Sequence, residues 1–103
     1  ILKEWSTGLK NRMNNMGELI GKNYARAQKI LSMAVILAGN SKDKSYIPYL
    51  IPLLKHPHAP IRGHSAWAIG KIKADGFEDI LNKALIQEKD NRVREEIDRA
   101  LGY

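Results

Sequence analysis

The chain has 103 residues, 44% of them hydrophobic and 27% charged, with a formal net charge of +6 and no cysteine. This composition accommodates one small folded domain, excludes a disordered chain, and excludes disulfides and thiolate-held zinc or iron–sulfur clusters within the piece. The charge is uneven: residues 1–73 hold 12 Lys/Arg against Glu4, Glu18 and Asp43 (net +9), and residues 74–103 hold 5 against 8 (net −3), a basic body suited to a polyanion approached from one side.

The start, Ile1-Leu2-Lys3-Glu4-Trp5, lacks an initiator Met and a signal-peptide pattern, so the chain reads as a piece of a longer protein. Leu9, Met13, Met16, Leu19 and Ile20 follow helical spacing and predict an amphipathic helix over 9–20, ending near Gly21. Residues 1–23 are read as an N-terminal capping helix or the end of a preceding domain. A second helix is expected from about Tyr24 to Ala38. Ala27, Ile30, Leu31, Ala34, Ile36, Leu37 and Ala38 cover most of its surface, which predicts burial on more than one side. Gly39-Asn40 is its expected stop.

After the polar loop Ser41 to Ser45 comes Tyr46-Ile47-Pro48-Tyr49-Leu50-Ile51-Pro52-Leu53-Leu54. Its two prolines fit an edge strand or a helix, and the repeat described below favours a helix. Pro48 suits a first turn, and Pro52, further in, should kink the helix. His56-Pro57-His58-Ala59-Pro60 is a tight connection, with Pro60 opening a helix that runs to about Lys73. Asp75 and Glu78 are spaced as a capping box for a helix running to about Gln87, with Phe77, Ile80, Leu81, Ala84 and Leu85 on one face. Asp90 or Asn91 caps a last helix whose inward residues are Val93, Ile97, Ala100 and Leu101.

Three helices close alike, at Leu37-Ala38-Gly39, Ala68-Ile69-Gly70 and Ala100-Leu101-Gly102, with glycines 31 and 32 residues apart (70 − 39 and 102 − 70). Such a period marks stacked helix pairs that bury their apolar faces only against neighbours. Small residues at Ala34, Ala38, Ser65, Ala68 and Ala100 allow close stacking. The expected fold is all-α, a HEAT-like α-solenoid of antiparallel helix pairs with about 2.5–3 repeats over 24–103. No apolar run reaches the roughly 20 residues that cross a bilayer, so no membrane partner is expected.

The middle copy is the most distinctive. Pro57-His58-Ala59-Pro60-Ile61-Arg62-Gly63-His64-Ser65-Ala66-Trp67-Ala68-Ile69-Gly70 resembles the Arg-Gly-His-Ala-Ala-Trp-Ala-Leu-Gly signature in the C-terminal HEAT-like domain of epoxyqueuosine reductases. Ile30 to Asn40 is similar to the family's preceding helix, with Ser32-Met33 in place of Arg-Asn, and Val93-Arg94-Glu95-Glu96-Ile97 resembles its closing helix. The resemblance implies a non-catalytic, cytoplasmic, monomeric tail that holds a tRNA anticodon stem-loop. The catalytic domains, with cobalamin and two [4Fe–4S] clusters bound by cysteines, would lie elsewhere in the parent. They would reduce epoxyqueuosine to queuosine, and this piece would carry no cofactor and no catalysis of its own.

On a helix His64, Trp67 and Lys71 share one stripe at i, i+3 and i+7. A cation, an imidazole and an indole in a row suit RNA, by phosphate neutralisation and base stacking. Trp67 is equally a filler between repeats. Arg62 is either a nucleic-acid contact or a structural arginine bonded to carbonyls or an acidic residue of the adjacent repeat, and Arg94 recurs at its position. Gly63 would admit a phosphate or a neighbouring backbone. Lys22, Arg26 and Lys29 fall at i, i+4 and i+7 and, with Lys71 and Lys73, are candidates for phosphate contacts, where affinity scales with the number of phosphates neutralised. An exposed apolar groove would instead favour a protein-interaction scaffold. His56, His58 and His64 match no common zinc spacing, and Ser65 beside His64 on a helix cannot form a nucleophile–base pair.

Overall fold

The computed structural model describes residues 20–103, so the helix expected over 9–20 lies almost wholly outside the described residues. Five α-helices occur: α1 (Ile20–Ser41), α2 (Ile47–Leu50), α3 (Ala59–Ile72), α4 (Phe77–Gln87) and α5 (Asn91–Leu101). Single 3-10 turns, Lys44–Tyr46 and Ile51–Lys55, flank α2. There is no strand among the described residues, and the fold is an all-α repeat solenoid.

Helices α1, α3 and α5 form one layer, with α3 packed between the other two. The α2 region and α4 form the second layer. The described body measures 42 × 28 × 17 Å, and its thin dimension is that of two helix layers. The core follows the middle helix: Ile61, Ala66, Ala68 and Ile69 are sealed completely, joined by Val35 from α1, Leu50 from α2, Leu81 from α4 and Ile97 from α5. Ser65, the buried polar residue, donates its hydroxyl to the Ile61 carbonyl at 2.7 Å and needs no other partner.

Pro48 sits in the first turn of α2, as its missing N–H allows. From Ile51 onward the α-helix tightens into a 3-10 turn that holds Pro52 near its start. The expected kink is thus an end of the α ladder, which the Pro52 ring cannot continue. Helix α3 opens with Pro60 in its first turn, and Asp90 caps α5 by accepting the Arg92 N–H at 2.9 Å.

Several expectations are corrected. Gly21 ends no helix; it lies in the first turn of α1, which begins at Ile20. Helix α1 is buried along a single stripe, Ala27, Leu31, Val35 and Ala38, while Met33 and Leu37 are exposed. Asp75 does not cap α4. The N-cap is Gly76, whose left-handed φ of 81° turns the chain one residue later than a capping box would.

Gly39 and Gly70 are not helix stops either. Their helices run two residues further and end on left-handed lysines, Lys42 (φ 54°) and Lys73 (φ 52°). Both glycines are points of helix contact. A Cβ on Gly39 would stand 2.6 Å from Trp67 Cζ3 and 3.0 Å from Ala68, and one on Gly70 would stand 2.7 Å from the Ala100 Cβ. Gly102, at φ 91°, is the glycine that closes its helix.

Candidate nucleic-acid interface

The repeat sets the interface. Gly39 packs on Ala68 and Gly70 on Ala100, so α1, α3 and α5 stack in one register offset by the sequence period. Residues one period apart therefore occupy matching places: Ile36 with Trp67 and Arg99, Lys29 with Pro60 and Arg92 (60 − 29 = 31; 92 − 60 = 32). The outward stripe of α3 lies between its two neighbours, opposite the α2–α4 layer.

A concavity of about 470 Å³ opens on this side. Gly63, His64 and Trp67 form its centre, with Ile36 on the α1 side and Arg92 and Glu96 on the α5 side. His64 and Trp67 are half-buried. One edge of the Trp67 indole rests over Gly39, where Cζ3 would strike an added Cβ, while the side chain also lines the concavity. The two readings of Trp67 are thus joined: the backbone-level contact at Gly39 fixes an indole that borders the groove. Gly63 has only the Glu96 side chain near its missing Cβ, at 3.9 Å, so no backbone presses on it and it widens the groove.

The cations separate into groups. Lys71 is exposed, on the stripe of His64 and Trp67. Lys29 is exposed on α1, seven residues before Ile36, on the groove-side flank about 10 Å along the axis. Arg26 is exposed roughly 60° further round the same helix. Lys73 occupies the left-handed turn after α3, off the stripe. Lys22 belongs to the first turn of α1 by its backbone. The five cations named for phosphate thus do not all share one face, and the pair on the groove side is Lys29 and Lys71.

Arg62 is committed inside the protein. Its Nε donates to Glu88 Oε1 at 2.7 Å, and Nη1 donates to the His56 and Pro57 carbonyls at 2.8 and 3.1 Å. Arg94, 32 residues on, donates Nη1 to the Leu85 and Glu88 carbonyls at 2.7 and 2.8 Å. Each arginine clamps the end of the preceding outer element to the helix that follows it. Burial beside His58 and the Arg62 guanidinium lowers the pKa of His56, burial being the largest cause. Its Nδ1 accepts the His58 N–H at 3.0 Å.

Three groove residues, Ile36, Arg92 and Glu96, were not among the sequence candidates. The period itself contains the signal for the first two, because they match Trp67 and Pro60. Arg92 is 87% exposed and only loosely held by Asp90 at 3.5 Å. Glu96 accepts from Arg99 at 2.9 Å, and Asp90 lines the concavity as well, so the α5 side is mixed in charge, while the cations of the α1–α3 side, Lys29 and Lys71, stand outside the lining. Among the described residues no His/Asp/Glu group is arranged to hold a metal ion.

Residues 23–102 match the family model of HEAT repeats. The chain is 42% identical over 78 residues to epoxyqueuosine reductase of Bacillus cereus and 41% identical to that of Bacillus subtilis, covering 74% of this chain and 20% of each relative. A crystal structure of epoxyqueuosine reductase with a tRNA-Tyr epoxyqueuosine-modified tRNA stem loop superposes with a TM-score of 0.71 at 38% identity, over 74% of this chain and 20% of that one. The chain spans about one fifth of the length of the curated relatives it matches. The repeat register, the two-layer stack and these likenesses place the chain in the HEAT-repeat family, as a segment that resembles part of epoxyqueuosine reductase.

Proposed function

We propose that this domain binds tRNA without catalysing chemistry itself, and that it positions an anticodon stem-loop for catalytic domains of an epoxyqueuosine reductase-like parent. The carrying observation is the concavity between α1, α3 and α5, where an indole and an imidazole share the lining with Arg92, and where Lys29 and Lys71 are exposed on the same stripes of α1 and α3 outside that lining. The stem-loop in the crystal structure of a similar protein supports the same partner.

The groove supplies two recognition modes. Lys29, Lys71 and Arg92 neutralise phosphates, and Trp67 with His64 offers a surface against which an unpaired base or a sugar packs. Arg26, exposed on α1, adds to the positive field on that flank, and Lys73 and Lys22 remain candidates for phosphate beyond it. Arg62 works behind the groove by fastening the His56–Pro57 turn. Glu96 repels phosphate, so on the α5 side the RNA backbone meets Arg92 and elsewhere rides over the α1–α3 half. Residues 24–103 form the RNA-binding unit, with residues 1–23 as its N-terminal capping helix or the end of a preceding domain. The iron–sulfur clusters implied by the resemblance find no thiolate ligands here, since the chain has no cysteine.

Titrating an anticodon stem-loop into the chain at several salt concentrations tests this. Three to five neutralised phosphates predict that log affinity falls against log salt with a slope of about −2 to −4. Lys71→Ala should reduce that slope by about 1 and leave folding stability unchanged. Salt-independent binding, or binding no tighter than to an acidic control protein, contradicts the proposal.

A further inference from the structure

A second groove, sharing no lining residue with the first, lies on the opposite layer between the Ile51–Lys55 turn and α4. It encloses about 680 Å³. Ile51, Leu54, Ile80, Ala84 and Ile86 supply its aliphatic lining, beside His56, Arg62 and Gln87. Ile86 is 83% exposed and Ile51 39% exposed, so two apolar side chains in one groove face solvent. Lys55, Lys83 and Lys89 line the same groove. All three are exposed, and none forms an ion pair among the described residues. The nearby carboxylate of Glu88 is taken by Arg62 and is itself 8% exposed, so it does not neutralise them.

We propose that this outer groove docks an acidic amphipathic protein segment, whose apolar side covers Ile51 and Ile86 while its carboxylates meet Lys55, Lys83 and Lys89. Charge complementarity selects this occupant. A second copy would bring one lysine rim against another. Residues 1–19 carry Lys3, Lys10 and Arg12 against Glu4 and Glu18 and so supply no net negative charge. RNA would find the lysines, but the aromatic ring in the lining is the half-buried His56, and the exposed Ile51 and Ile86 offer no stacking face. The stretch of α4 that lines the groove, Ile80 to Gln87, spans about 10 Å and so contacts about two turns of a helical segment, laid in by apolar anchors at helical spacing.

The probe is a fluorescein-labelled helical peptide of about 14 residues with leucines on one face and glutamates on the other. Its controls are a version with Lys for Glu and a version with Ser for Leu. Fluorescence anisotropy with the full chain should show the acidic amphipathic peptide binding at least about tenfold more tightly than either control. Ile86→Glu, and separately Lys83→Glu with Lys89→Glu, should each weaken it by about tenfold without lowering the thermal midpoint. Equal binding of the basic peptide, or indifference to both substitutions, overturns the proposal. So does displacement of the peptide by stem-loop RNA, which would make the groove a nucleic-acid site. Self-association of the chain that Ile86→Glu abolishes overturns it as well, by identifying the occupant as a second copy.

Discussion

Gly39 and Gly63 both lie inside helices, where glycine costs about 1 kcal/mol relative to alanine, yet their surroundings differ. A methyl on Gly39 meets the Trp67 ring at 2.6 Å, and one on Gly70 meets Ala100 at 2.7 Å, with backbone close behind in both cases. Gly39→Ala and Gly70→Ala should therefore destabilise the fold by about 1–3 kcal/mol through overpacking. Gly63→Ala, with only a flexible Glu96 methylene at 3.9 Å, should be neutral or should stabilise by up to about 1 kcal/mol. Urea denaturation of the three variants checks this ordering. The sequence shows where glycine recurs but not why. A glycine two residues before a helix end looks the same whether it stops the helix or admits a neighbour, and only the packed partner distinguishes them. Arg62 was similarly open between a structural and an RNA-contacting role, and three internal hydrogen bonds give it a structural one. Arg62→Ala leaves Glu88 without its partner in a half-closed site and should cost about 2–3 kcal/mol in the same assay, while Lys71→Ala stays within about 0.5 kcal/mol.

Among the elements, the connection between α2 and α3 is the one most exposed to pH. His56 accepts the His58 N–H through Nδ1, and its carbonyl holds Arg62. Protonation of Nδ1 removes the acceptor and sets a positive charge beside that guanidinium. The folded-state pKa is lowered from 6.5, so the unfolded chain binds this proton more readily. The His56 contribution is complete above pH 6.5 and is lost as the pH falls from there toward the folded value. Thermal midpoints measured downward from neutral pH should fall within this window, and His56→Gln should flatten that slope. Asp43 and Asp90 add a later acid step. Their pKa values are lowered from 3.8, chiefly by the backbone N–H groups of Ser45 and Arg92, so their capping contribution is present above 3.8 and is lost as the pH drops through the folded values. The Asp90 cap and the roles of Pro48 and Pro52 were legible because each depends on a local backbone rule. The Asp75 cap failed because a left-handed Gly76 moved the turn by one residue, an outcome that Asp-Gly spacing alone does not decide.

At the scale of the molecule, the period of 31 and 32 residues made the solenoid visible and also determines which residues share a face. Trp67, His64 and Lys71 were found from their helical stripe, whereas Ile36 and Arg92 emerge only when the copies are aligned on the Gly39–Ala68 and Gly70–Ala100 contacts. The unequal charge of the two ends was readable by counting. Its placement, with a cationic α1–α3 half, a mixed α5 side and a lysine-rimmed groove on the other layer, required the fold. The two grooves face opposite ways, so a single mapping experiment tells them apart. Titration of an isotopically labelled chain with an anticodon stem-loop, followed by amide NMR shifts, tests the central claim most directly. Perturbations gathered at Lys29, Ile36, Gly63, His64, Trp67, Lys71 and Arg92, and weakened by salt, are the predicted result. Perturbations confined to Lys55, Lys83, Ile86 and Lys89, or none at low salt, would contradict it.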